Sequence, residues 1–136
     1  MASANEKDAV QRVVLDYYHA VSRDPASAAA HYGKPAMVVL PSKILDLGSP
    51  AEVEEFFEKL LEELRPLGYA ESKPEDPRIK MLSATTAIYS AVSVRQKADG
   101  SELQRAGFTY LLHKGDTGWK IHALITTDVD KLVRDD

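Results

Sequence analysis

The side chains best able to do chemistry in this chain are its tyrosines, its four histidines and one arginine set in a strand-like run. Tyr17 and Tyr18 are adjacent, so on a helix they point about 100° apart. Tyr17 extends the helical stripe Val10, Val13, Val14 and Val21, which directs its ring to a core or a pocket and leaves its hydroxyl needing a partner. Tyr32 is of the same kind, and either could be a hydrogen-bond donor in a pocket or an ordinary core residue. Arg105 lies between Leu103 and Gly107 and shares a strand face with Thr109 and Leu111. Facing a pocket, it could clasp a carboxylate or phosphate through two parallel hydrogen bonds; facing solvent, it would pair with Glu102 or Asp99. His19, His31, His113 and His122 lack metal-ligand spacing. A tight turn at 115–118 would place His113 and His122 on opposite faces of a hairpin. No metal or cofactor is expected.

Composition narrows the classes further. The chain has no cysteine, which removes disulfides, thiolate metal sites and a cysteine nucleophile. A net charge of -4, with scattered Lys and Arg, argues against nucleic acid, which requires a basic face. No apolar run approaches the length of a membrane span, and Met1 to Asp8 does not read as a secretory signal, so the expectation is a cytoplasmic protein with no membrane partner. At 136 residues, one domain spanning 1–136 is expected, with a core of about 8–128.

The elements that must position these residues read in order. Ser3 and Glu6 have capping-box spacing ahead of a first helix that runs to Ser22. Asp24-Pro25 starts a short second helix that carries Ala28, Ala29, Ala30 and Tyr32 and stops at Gly33. Ala36–Leu40 and Lys43–Leu47 read as a small hairpin. Ser49-Pro50-Ala51-Glu52 combines cap, first-turn proline and third-position glutamate. Behind it, Val53, Phe56, Phe57, Leu60, Leu61, Leu64 and Leu67 form an apolar stripe, with the glutamates on the other side as a solvated face or a partner site. Pro66 and Gly68 close this helix. The acidic, proline-containing stretch Tyr69–Arg78 reads as a loop. Strands follow at Ile79–Ser83, Thr86–Lys97, Leu103–His113 and Trp119–Thr127, with turns at Asp99-Gly100 and 115–118. Gly107, in mid-strand, predicts a bulge or bend.

This order, with Gly118-Trp119-Lys120-Ile121 opening the last strand, resembles the nuclear transport factor 2-like superfamily, which includes ketosteroid isomerase, limonene epoxide hydrolase and the SnoaL-like cyclases. Within it, the chain looks most like a group of small bacterial proteins without assigned activity. The resemblance implies an α+β fold, with N-terminal helices packed in a strongly curved antiparallel sheet, a cystatin-like cone with a central pocket. It also implies a homodimer through the outer sheet face.

In the resemblance to ketosteroid isomerase, Tyr17 falls at the oxyanion-hole tyrosine, the general base falls near Leu40 and the second donor near Thr109. Only the first of these keeps a suitable side chain. The Asp-Arg-Asp set of an epoxide hydrolase is not supplied by the strands either, which offer Arg105 with Glu102 and Asp128 at strand ends. Pairing 115 with 118 sets Phe108, Tyr110 and Leu112 against Ile125, Ala123 and Ile121, an apolar match, whereas the resemblance turns the Thr109 face to the pocket. On the latter view the pocket candidates are Tyr17, Tyr32, Arg105 and Thr109, and Phe108, Tyr110 and Trp119 are core or dimer contacts. Three functions fit: a pocket protein binding a small apolar or amphipathic molecule; a SnoaL-like isomerase, cyclase or hydratase using Tyr17, Arg105 or a histidine; or a structural or regulatory dimer with a filled pocket.

Overall fold

The computed structural model describes residues 4–134. Helices α1 (Ala4–Val21), α2 (Pro25–Ala29) and α3 (Pro50–Leu64) pack on one face of a curved six-stranded sheet. The strands are β1 (Tyr32–Val39), β2 (Ile44–Leu47), β3 (Tyr69–Met81), β4 (Thr86–Lys97), β5 (Glu102–Gly115) and β6 (Gly118–Thr127), in the spatial order β2-β1-β6-β5-β4-β3. All neighbours are antiparallel except β1 and β6, which run parallel, so the sheet is mixed at that one junction.

Local chemistry sets the helix ends. Ser49 Oγ accepts from the Glu52 N–H at 3.3 Å, and Asp24 Oδ1 accepts from the Ser27 N–H at 2.8 Å. Gly68, with φ of 97°, ends the turn of 3₁₀ helix behind α3 in the left-handed region that glycine adopts without strain. The capping residue expected for α1, Ser3, lies outside the described residues.

Two strands extend beyond their sequence reading. The Tyr69–Arg78 loop is instead most of β3, because an edge strand tolerates Pro74 and Pro77 where a central one would lose ladder hydrogen bonds. Its register shifts between Glu75 and Arg78, where Asp76 has φ of 51°. The second helix ends at Ala29 rather than Gly33, and β1 begins at Tyr32, four residues earlier than the apolar run Ala36–Leu40 suggests.

Alternation divides the sheet residues. Ala87, Tyr89, Ala91, Ser93 and Arg95 of β4 and Phe108, Tyr110 and Leu112 of β5 point toward the helices, with Ile121 and Leu124 of β6. The core gathers Val10, Val14, Tyr17, Phe57, Tyr89, Tyr110 and Ile121 between the helices and this inner face. On the outer face, the hydroxyls of Ser90, Thr109 and Thr127 form a chain, 2.8 Å and 2.7 Å apart. The segment after β6 folds over it. Leu132 packs on Val92 and Val94, and the Val133 N–H donates to Ser90 Oγ at 3.3 Å.

Gly107 keeps its place in both ladders; the shifts fall between Arg95 and Gln96 and between Leu111 and Leu112. A side chain at Gly107 would collide with the Thr127 carbonyl oxygen, so the glycine permits close backbone approach where the chain leaves β6. Among the described residues, no helix is long and apolar enough to cross a membrane.

Candidate functional site

Between α1, α3 and the inner sheet face, side chains leave a cavity of about 110 Å³. α3 presents Leu60, Leu61 and Leu64, three residues of the stripe that also buries Val53 and Phe57. α1 contributes Tyr17, Tyr18 and Val21, and the sheet contributes Ser72, Ser93, Arg95, Phe108, Tyr110 and Leu124. Leu40, Phe56 and Leu60 are shared with a surface groove between the β1–β2 hairpin and α3, so they form the mouth.

The aromatic wall is tightly built. Tyr17 packs edge-on against Tyr18, Tyr32, Phe57 and Tyr110 with ring centroids 5.4–5.8 Å apart. The Tyr110 hydroxyl donates to that of Tyr18 at 3.2 Å, and the Tyr69 and Ser72 hydroxyls pair at 2.7 Å. Burial pushes the Tyr17, Tyr18 and Tyr110 hydroxyls above the ordinary phenol value; for Tyr18 the bonds to Tyr110 and Ser93 only partly offset this. At the rim, the Arg95 guanidinium sits 6.0 Å from the Phe108 ring centroid and donates to the Gln104 amide oxygen. The wall can therefore hold an apolar body, donate hydrogen bonds and offer one positive charge.

The four residues singled out from sequence are not brought together. Tyr17 lies in the wall. Tyr32 is buried behind it, with its ring against Tyr17 and Phe57. Arg105 is on the outer face, exposed, and pairs with Glu102 at 2.9 Å and Glu75 at 3.4 Å, the solvent-facing arrangement. Thr109 is also on the outer face, bonded within the hydroxyl chain. The face expectation drawn from the resemblance is thus reversed: Phe108 and Tyr110 look inward and Thr109 outward.

His113 and His122 also depart from expectation. The β5–β6 ladder skips His122, with Leu112 opposite Ile121 and Leu111 opposite Ala123. This extra residue brings the two imidazoles to one face, with ring centroids 6.0 Å apart, outside the cavity. Among the described residues, no group of three or more His, Cys, Asp and Glu is placed to hold a metal.

Sequence reading missed Tyr18, Ser93 and Arg95 as wall residues. The signal was present for Arg95, which follows Tyr89, Ala91 and Ser93 at strand spacing, but nothing local marked that face as inner.

A family model described as NTF2-like protein (DUF6841) matches residues 7–129. No curated protein matches significantly. Among solved structures, a domain of unknown function with a cystatin-like fold from Nostoc punctiforme superposes with a TM-score of 0.73 at 19% identity, covering 97% of this chain and 81% of that one. An NTF2-like protein of unknown function from Shewanella oneidensis gives 0.72 at 22% identity, covering 90% and 98%. A protein from Shewanella frigidimarina described as a candidate ketosteroid isomerase gives 0.68 at 17% identity, covering 88% and 94%. Similarity at these identities concerns the fold.

Proposed function

The chain belongs to the NTF2-like protein family (DUF6841), and from that premise we propose that it binds a small apolar or amphipathic molecule in the inner-face cavity and works as a homodimer. The observation that carries the reading is the unfilled, mostly apolar volume of about 110 Å³ beside the mouth at Leu40, Phe56 and Leu60. Interiors normally pack densely, and an unfilled apolar space forfeits contacts that a guest restores. An apolar cavity of about 150 Å³ accepts benzene, so the buried part of the guest is of that size or smaller.

The wall groups are suited to holding and orienting. Burial keeps the tyrosines protonated at neutral pH, where they donate hydrogen bonds rather than abstract protons. An isomerase is the second reading, favoured by the Tyr18–Tyr110 hydroxyl pair, which could steady an oxyanion, and by the Shewanella frigidimarina neighbour. Its base would have to come from elsewhere, since the position implied for that carboxylate, Leu40, is an aliphatic wall residue.

Support for a second copy on the outer sheet face comes from Met37 and Ile44, 44% and 66% exposed, beside the partly exposed Val39, Leu111 and Ile125. Sedimentation of wild type and Ile44→Glu tests it: the reading expects a dimer that the charge dissociates, and a wild-type monomer would refute it.

The ligand reading is tested by NMR titration with benzene and isobutanol. Resonances of Tyr17, Val21, Leu61 and Leu64 should move together and saturate, and Leu60→Trp, which fills the mouth, should abolish the response. Shifts scattered over the surface, or unaffected by Leu60→Trp, would count against a cavity site.

A further inference from the structure

The two strand arginines that lie one register step apart have opposite surroundings. Arg105, opposite Val94 on the outer face, is paired with Glu102 and Glu75. Arg95, opposite Gln104 on the inner face, lines the cavity, and no carboxylate among the described residues forms an ion pair with it. Its guanidinium is instead oriented by the neutral Gln104 amide and the face of Phe108.

A guanidinium carries five N–H donors in a planar fork, and one amide oxygen with one ring leaves much of that fork unused. Hydroxyl donors stand in the same wall: Ser93, only 5% exposed, and the Tyr69–Ser72 pair. Its positive charge lowers the Tyr17, Tyr18 and Tyr69 hydroxyls slightly, against the larger upward effect of their burial. The helices add aliphatic side chains to the lining, Val21, Leu60, Leu61 and Leu64, and β6 adds Leu124. The lining thus combines one cation and several hydroxyls with hydrocarbon side chains.

We propose that the ligand is a small carboxylic acid bound as its anion, its carboxylate on the Arg95 guanidinium and its branched or cyclic hydrocarbon body against the α3 leucines. Arg95 is then the residue that determines ligand class. Forked guanidinium–carboxylate pairing gives direction as well as attraction, and it is stronger at a partly water-excluded rim than on an open surface. The body is limited by the cavity volume of about 110 Å³ to a few carbons or one small ring. The inference rests on the cavity being a ligand site, and the test separates the two.

Isobutyrate, isovalerate and benzoate, each beside its neutral amide, are titrated into wild type, Arg95→Met and Arg95→Lys, with chemical shifts of Tyr17, Leu61 and Leu64 as the readout. Wild type should bind at least one acid about tenfold more tightly than its amide, as expected for a hydrogen bond to a charged group. Arg95→Met should abolish that preference, and Arg95→Lys should keep part of it, as follows from removing or retaining the charge. Added salt should weaken the acids and not the amides. Thermal melts confirm that each variant is folded, and the salt dependence stands on wild type alone. Equal binding of acids and amides to wild type, or an acid preference that survives Arg95→Met, overturns the carboxylate proposal and leaves the cavity reading intact. If neither acids nor amides move the cavity resonances, the cavity reading fails and takes this inference with it.

Discussion

β4 and β5 build two unlike surfaces from alternate residues of the same ladder. Outward, Ser90, Thr109 and Thr127 satisfy one another's hydroxyls, the Val133 N–H donates to Ser90, and Leu132 covers Val92 and Val94. Inward, Tyr110, Ser93 and Arg95 border unfilled space, and Arg95 has a charge without an ionic partner among the described residues. Buried polar groups that satisfy each other specify a fold, whereas groups with spare donors beside a cavity are equipped to meet a guest. The comparison separates two kinds of polar residue that look alike in the sequence.

The largest expected effect tests the inner face as a whole. Folding raises the phenol pKa of Tyr17, Tyr32, Tyr89 and Tyr110, chiefly by burial. Their contribution to stability is therefore complete below the unfolded value of about 10 and lost as pH rises above it. Tyrosinate absorbance and loss of circular dichroism should appear together in one alkaline transition; stepwise ionisation of a protein that stays folded would break the comparison. Tyr110→Ala comes next, removing a 2%-exposed ring at a cost of about 3–5 kcal/mol in denaturant unfolding.

Thr109→Val sharpens the contrast. It leaves Ser90 and Thr127 without their shared partner and should cost about 1–3 kcal/mol, with small-molecule binding unchanged. Altered binding would place Thr109 in the site after all. The smallest effect belongs to Arg105→Ala, whose exposed ion pairs should leave the melting midpoint and the cavity resonances where they were.

What could be read in advance divides along the same line. The start of α3 and its stripe are local, written in Ser49, Pro50, Glu52 and the leucine spacing, and they set one wall of the cavity directly. β3 was hidden because Pro74 and Pro77 signal a loop unless the strand is known to lie at an edge, which is a tertiary fact. The His113–His122 pairing was hidden by a single extra residue at His122. The inner and outer assignments of Arg95, Arg105 and Thr109 depend on which face the helices cover. Strand alternation fixes which residues travel together but not which way they point. Phe108, Tyr110 and Leu112 did carry the signal, as the longer apolar series of β5.

The most direct measurement is a crystal structure of the protein under xenon pressure, since a dry apolar cavity takes up xenon and a filled interior does not. The account predicts one strong xenon peak enclosed by Tyr17, Leu61, Leu64 and Leu124, with their side chains unmoved. A structure with Phe56 and Leu60 collapsed into that space and no xenon between the helices and the sheet would contradict it.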